Sequence, residues 1–170
     1  MSTPILSNRL VARLRRNHAL EHATIHVLKK EYQNLGLAGR STLEGFVLYG
    51  NIPTERVLIA AQHALQQLQE GHYELALHAD CGTNRVSSGV LAGLGAFTIL
   101  SPRRKSWGEW LNRLPLVFVV CTLGVIAGQR LGTILQARLT TNADVGEARI
   151  VGIARGQRGS ITIHRIRVEG

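Results

Sequence analysis

The chain has 170 residues, with 20 Lys and Arg against 11 Asp and Glu, a net charge of +9 and 45% hydrophobic residues. That length suits one small domain plus an accessory segment. Two cysteines, Cys81 and Cys121, imply no disulfide framework and favour a reducing compartment. The basic balance does not read as nucleic-acid binding: Lys and Arg are spread over several segments, aromatics are few and no nucleic-acid motif occurs. An anionic lipid surface accounts for the same charge.

Met1 to Leu14 alternates apolar and basic residues and lacks the continuous apolar core of a cleavable signal peptide. From residue 8 to 35 the spacing of Val11, Leu14, His18, Glu21, Ile25, Leu28, Tyr32 and Leu35 predicts a helix with one apolar stripe. Ser7 or Asn8 is its expected cap and Gly36 its expected stop. His18 and Glu21 fall within the stripe and His22 beside it. Polar groups on a buried face must be paired or must bind something.

Residues 37–45 read as a loop. Phe46-Val47-Leu48-Tyr49, bounded by Gly45 and Gly50, reads as a buried strand. Thr54 caps a second helix with Val57, Ala61, Ala64, Leu65 and Leu68 inside, ended by Gly71. Tyr73 to His78 alternates as a strand does. Strand, helix and strand together predict a β-α-β unit with a right-handed crossover, whose ligand site lies beyond the strand ends at His78-Ala79-Asp80-Cys81-Gly82-Thr83-Asn84.

Two uncharged runs follow, Val86 to Leu100 and Leu114 to Gln129, the second able to continue to Gln136. A bend carrying Arg103, Arg104, Lys105, Trp107, Trp110 and Arg113 joins them. Gly89, Gly93, Gly95, Gly124 and Gly128 would let two helices pack closely, and the tryptophans sit where interfacial aromatics belong. The expectation is a two-span membrane hairpin in a bacterial cell membrane, with both termini cytoplasmic; a buried helical hairpin in a soluble protein is the alternative. No His occurs in residues 86–136, so no haem or chlorophyll is expected mid-membrane, and no nucleotide cofactor is expected. Residues 148–154 and 160–168 flank Gly156-Gln157-Arg158-Gly159 and predict a C-terminal β-hairpin.

The fold class is therefore α/β (α+β), in three parts: residues 1–84, a soluble domain with a His-rich helix; 85–137, the membrane hairpin; and 138–170, the β-hairpin, expected to pack on the first part.

His18 and His22, four apart on a helix, can reach one ion, and zinc takes about four such ligands. His78 and Cys81 are the best further ligands. All four together make a closed, structural site. If Cys81 does not bind, the site is open and Glu21, as the catalytic base, could deprotonate a metal-bound water. Asp80 and Asn84 are candidates to hold the ligands from behind. Three other readings stay open: a purely hydrogen-bonded polar network, a Cys81 nucleophile activated at a helix N-terminus, and a non-catalytic subunit or assembly factor of a membrane complex. Membrane lipid, other membrane subunits or a second copy of the chain are the expected partners. His26, His63, His72 and His164 carry no assigned role.

The His-x-x-Glu-His pattern of residues 18–22 resembles the inverted zincin metallopeptidases. That resemblance implies His18 and His22 as ligands and Glu21 as the base, but the downstream ligand Glu of the peptidases has no matching context here. More broadly, His18-Ala19-Leu20-Glu21-His22-Ala23-Thr24, Gly45 to Gly50, Cys81-Gly82-Thr83-Asn84 and the two apolar runs look like an uncharacterised family of small bacterial membrane proteins, with members in photosynthetic phyla. The resemblance implies no activity; it implies that the two motifs share one site.

Overall fold

A computed structural model describes residues 8–32, 36–101 and 107–170. The chain is α+β and divides into two compact units, Met1–His78 with Ala137–Gly170, and Ala79–Gln136.

The first unit holds helix α1 (Arg9–Glu31), strands β1 (Ala38–Thr42) and β2 (Gly45–Tyr49), helix α2 (Thr54–Gln69), a 3-10 turn (Tyr73–Ala76), and strands β3 (Arg149–Arg158) and β4 (Ile161–Glu169). The strands form one antiparallel sheet in the order β1-β2-β4-β3. Phe46 stands opposite Ile166 and Leu48 opposite His164. Because side chains alternate along a strand, these residues share one face. Phe46, Leu48, Ile166 and Val168 enter a single core with Leu20, Ile25 and Leu28 of α1 and Val57, Leu65 and Leu68 of α2. The two helices therefore cover the inner face of the sheet.

Asn8 caps α1, its side-chain oxygen accepting from the Leu10 N–H at 3.0 Å; Ser7 lies outside the described residues. The helix ends at Tyr32, before the expected Gly36 stop, and Leu35 also lies outside the described residues. The predicted stripe is too narrow. Residues 17 and 19–25 are buried all round the helix, whereas Leu10 and Leu14 are exposed. Packed against the sheet, α2 and the 3-10 turn, the middle of α1 is partly exposed only at His18.

Three further expectations are corrected. Residues 38–42 are not loop but β1, paired with β2 from Ala38 opposite Tyr49 to Thr42 opposite Gly45. Residues 73–76 are not a strand but a 3-10 turn, so their carbonyls do not enter a ladder. With that strand gone there is no parallel β-α-β crossover. β2 pairs instead with β4 from the far end of the chain.

The second unit holds helices α3 (Gly82–Leu100), α4 (Trp107–Leu111) and α5 (Leu114–Leu135). Arg103, Arg104 and Lys105 of the basic bend lie outside the described residues. α3 and α5 pack on small residues. A Cβ on Gly124 would stand 2.9 Å from the Ala92 Cα, one on Gly128 would meet the Ser88 backbone, and one on Gly132 the Asn84 backbone. Ser88 Oγ donates to the Val125 carbonyl at 3.1 Å, and Gln136 Nε2 to Asn84 Oδ1 at 2.6 Å. Val90, Leu94, Phe97, Phe118 and Leu123 are exposed on the outside. One helical stretch, Gly108–Thr140, is long and apolar enough to cross a membrane. The α3 run does not meet the same measure, so a single candidate span stands among the described residues where two were expected.

Candidate metal centre

Positions 18, 22 and 26 lie on one side of α1, four residues apart, so their imidazoles rise in a row along the helix. The rings of His18 and His22 lie 4.3 Å apart, edge to face. His78, just past the 3-10 turn, closes on the same row, 5.7 Å from His22 and 5.2 Å from His26. His22 is buried and His18 half-buried.

Backbone carbonyls fix the rings. His18 Nδ1–H donates to the Thr140 carbonyl at 3.0 Å, and His22 Nδ1–H to the Ala76 carbonyl at 2.7 Å. A carbonyl only accepts, so in the neutral ring both protons sit on Nδ1 and both lone pairs on Nε2. A backbone carbonyl on one ring nitrogen is the usual way a metal-binding imidazole is oriented through the other. Ligand atoms of His18 and His22 lie within 4.8 Å of one another. His26 is turned the other way: its Nε2–H donates to the Leu77 carbonyl at 2.7 Å. Lys29 Nζ donates to His78 Nε2 at 3.3 Å, which places an ammonium on that nitrogen.

Glu21 faces β1 rather than the imidazole row. Ser41 Oγ donates to its Oε2, and any Cβ on Gly39 would collide with its carboxylate. It is buried. Asn17, one turn earlier, donates from Nδ2 to the Thr42 carbonyl at 2.8 Å, pinning α1 to the end of β1.

The remaining predicted residues belong to the second unit. Cys81 is the N-cap of α3, its carbonyl accepting from the Asn84 N–H at 3.0 Å; its side chain is buried and takes part in no disulfide. Asn84 is engaged inside the unit: its Nδ2 donates to the Ala79 carbonyl at 2.9 Å and its Oδ1 accepts from Gln136. Asp80 is exposed in the preceding turn.

Sequence reasoning passed over His26, Lys29 and His164. For His26 the signal was present, since 18, 22 and 26 form an unbroken series of fours. For His164 it was the alternation of Thr162, His164, Ile166 and Val168, which puts the imidazole on the apolar face of β4. His164 is fully buried and donates from Nε2 to the Gly50 carbonyl at 3.3 Å; among the described residues its Nδ1 has no hydrogen-bond partner. Burial lowers its pKa from the ordinary 6.5, the Gly50 carbonyl works against that, and the nearby Arg155 guanidinium adds to it.

Among known proteins, the chain is similar to an uncharacterised protein of Picosynechococcus sp., with 27% identity over 140 residues, covering 74% of this chain and 68% of the relative. No solved structure matches. The family model for a domain of unknown function, DUF6391, matches residues 13–153, most of the chain, and the protein belongs to that family.

Proposed function

We propose that this protein is a membrane-anchored metal-binding protein in which His18 and His22, with Cys81, hold one divalent cation of the zinc class. The observation that carries this reading is the pair of Nδ1–H bonds to the Thr140 and Ala76 carbonyls. They put both lone pairs on Nε2 of rings 4.3 Å apart, the tautomer a metal requires. Cys81 follows His78 by three residues, so about 10 Å of chain is the most that can separate their Cα atoms. A thiolate with two imidazoles suits zinc. His78, with an ammonium on its Nε2, belongs around the centre rather than among its ligands.

Hydrolytic use is the weaker form of the proposal. It needs Glu21 beside the metal, and the hydroxyl of Ser41 and the space at Gly39 favour a carboxylate committed to β1. Asp80 and Asn84 would act only as positioning groups near Cys81.

The anchor is the second unit. α5 supplies a candidate span. Pairing with α3 through Gly124, Gly128 and Gly132 supports a second crossing, small residues inside and large apolar residues outside being how helices pack in lipid. Two crossings would return both ends of the chain to one side, and the basic charge of the segments flanking the hairpin favours the cytoplasm for that side.

The test is metal analysis of protein purified from native membranes without added metal. About one zinc per chain is expected, falling below about a tenth in His18→Ala, His22→Ala and Cys81→Ser while Glu21→Gln retains it. Metal-free native protein that is folded by circular dichroism would overturn the reading.

A further inference from the structure

The outer face of the sheet, opposite the helices, is strongly basic. Alternation from the register puts Arg40 of β1, Arg165 and Arg167 of β4, and Arg149 and Arg158 of β3 on that face. Arg40 and Arg165 both flank Val47 across β2, and Arg149 stands opposite Glu169, the acidic residue on the same face. All five guanidinium-bearing residues are exposed. Among the described residues none of the five makes an ion pair.

Beside the arginines the β3 positions are small. Arg167 stands opposite Gly152 and Arg165 opposite Ala154, and a Cβ on Gly156 would come within 3.1 Å of Arg165 Nη1. The guanidinium of Arg165 therefore reaches over Gly156, beside small β3 positions that leave a planar fork open to phosphate oxygens in pairs.

We infer that this face binds the phosphate headgroups of anionic lipid, and so lays the sheet against the membrane that the same chain's helices enter. The inference rests on the membrane-anchored reading for its setting and on the arginine face for its chemistry. Charge complementarity selects the partner. Five arginines to one glutamate fit a dense, laterally mobile layer of single negative charges. A nucleic acid on an open sheet would call for stacking aromatics, and Tyr49 alone supplies one here.

The full chain, labelled with a donor fluorophore at Ser160→Cys in a Cys121→Ala background, is reconstituted into nanodiscs whose lipid headgroups carry an acceptor. Discs of phosphatidylcholine are compared with discs containing a third phosphatidylglycerol. Energy transfer is expected to rise at least twofold with the anionic lipid and to return to the neutral value in about 0.5 M salt. Arg165→Glu with Arg167→Glu should abolish the rise, while Glu169→Gln should keep it. Equal transfer in both discs would overturn the inference, and so would loss of the rise to a competing oligonucleotide, which would give the face to nucleic acid. Should the chain fail to enter discs at all, the anchoring reading falls instead. The same label with preformed vesicles then tests the face alone, with salt-sensitive binding to anionic vesicles expected and none to neutral ones; absence of that binding would sink it.

Discussion

The two units bury opposite kinds of residue. In the α+β unit Leu20, Leu28, Phe46, Leu48 and Ile166 are inside and the arginines outside. In the helical unit Asn84, Ser87, Ser88, Gly128 and Gly132 are inside, while Phe97, Phe118 and Leu123 face out. The first arrangement is what water dictates: apolar surface is withdrawn and is worth about 25 cal/mol for each Å² buried. The second gains nothing from that effect, because its large apolar surface stays uncovered. What holds α3 to α5 is close backbone contact through glycine and hydrogen bonds such as Ser88 to Val125 and Gln136 to Asn84. Small residues inside and large apolar residues outside are also how helices pack in lipid.

The same kind of truncation should have opposite consequences in the two units. Leu20→Ala, inside the core of the α+β unit, should cost about 3 kcal/mol, read as a large fall in the thermal midpoint of the full chain in detergent. Phe118→Ala, at 70% exposure on α5, should change the midpoint by less than about 0.5 kcal/mol equivalent. A large loss at Phe118 would mean that the outer face is covered by protein and that the comparison is wrong.

Next in size is the reverse substitution. Gly128→Leu places a side chain where the Ser88 backbone stands, an overpacking defect of about 1–3 kcal/mol or more. The expected result is loss of a disulfide cross-link between Ala92→Cys on α3 and the native Cys121 on α5, whose Sγ lies 3.5 Å from the Ala92 carbonyl, with the β-sheet signal in circular dichroism retained. Gly89→Leu, where a Cβ meets nothing within 4 Å, should leave the cross-link intact.

The imidazole row and the Glu21 carboxylate lie within the first unit, and their polar contacts explain which parts of the fold the sequence concealed. α1, β2, α2 and the C-terminal strands were legible because their hydrophobic spacing serves only packing. β1 was not, because Ala38-Gly39-Arg40-Ser41-Thr42 has no apolar alternation; its inner positions are Gly39, which makes room for the Glu21 carboxylate, and Ser41, which donates to it. The stretch after Gly71 alternates like a strand but winds into a 3-10 turn, and the carbonyls of Ala76 and Leu77 hold His22 and His26 instead of a ladder. The histidine series could be read from spacing alone. The carbonyls that set its tautomers could not, since backbone groups leave no mark on composition.

That account predicts a smaller effect at β1. Ser41→Ala removes the donor to a buried carboxylate and should destabilise by about 1.5–3 kcal/mol, with native metal content unchanged if Glu21 is not part of the metal's reaction chemistry. Gly39→Ala should do comparable damage by displacing the same carboxylate. Loss of metal in Ser41→Ala would instead tie Glu21 to the centre and revive the hydrolytic form of the proposal.

The smallest expected effect is electrostatic and comes from His164. Its folded-state pKa lies below 6.5, chiefly because the ring is desolvated beneath the helices. The unfolded chain therefore takes up a proton first as pH falls, so the stability tied to this residue is complete above about pH 6.5 and declines below it. Between pH 7 and 5 the unfolding midpoint of the wild type should drop more steeply than that of His164→Leu. The leucine would occupy a site already lined by Leu48 across the β2–β4 pair. Losing the bond to the Gly50 carbonyl should make the variant somewhat less stable at neutral pH, so the curves converge on acidification. Parallel curves would mean that protonated His164 is accommodated without opening the sheet.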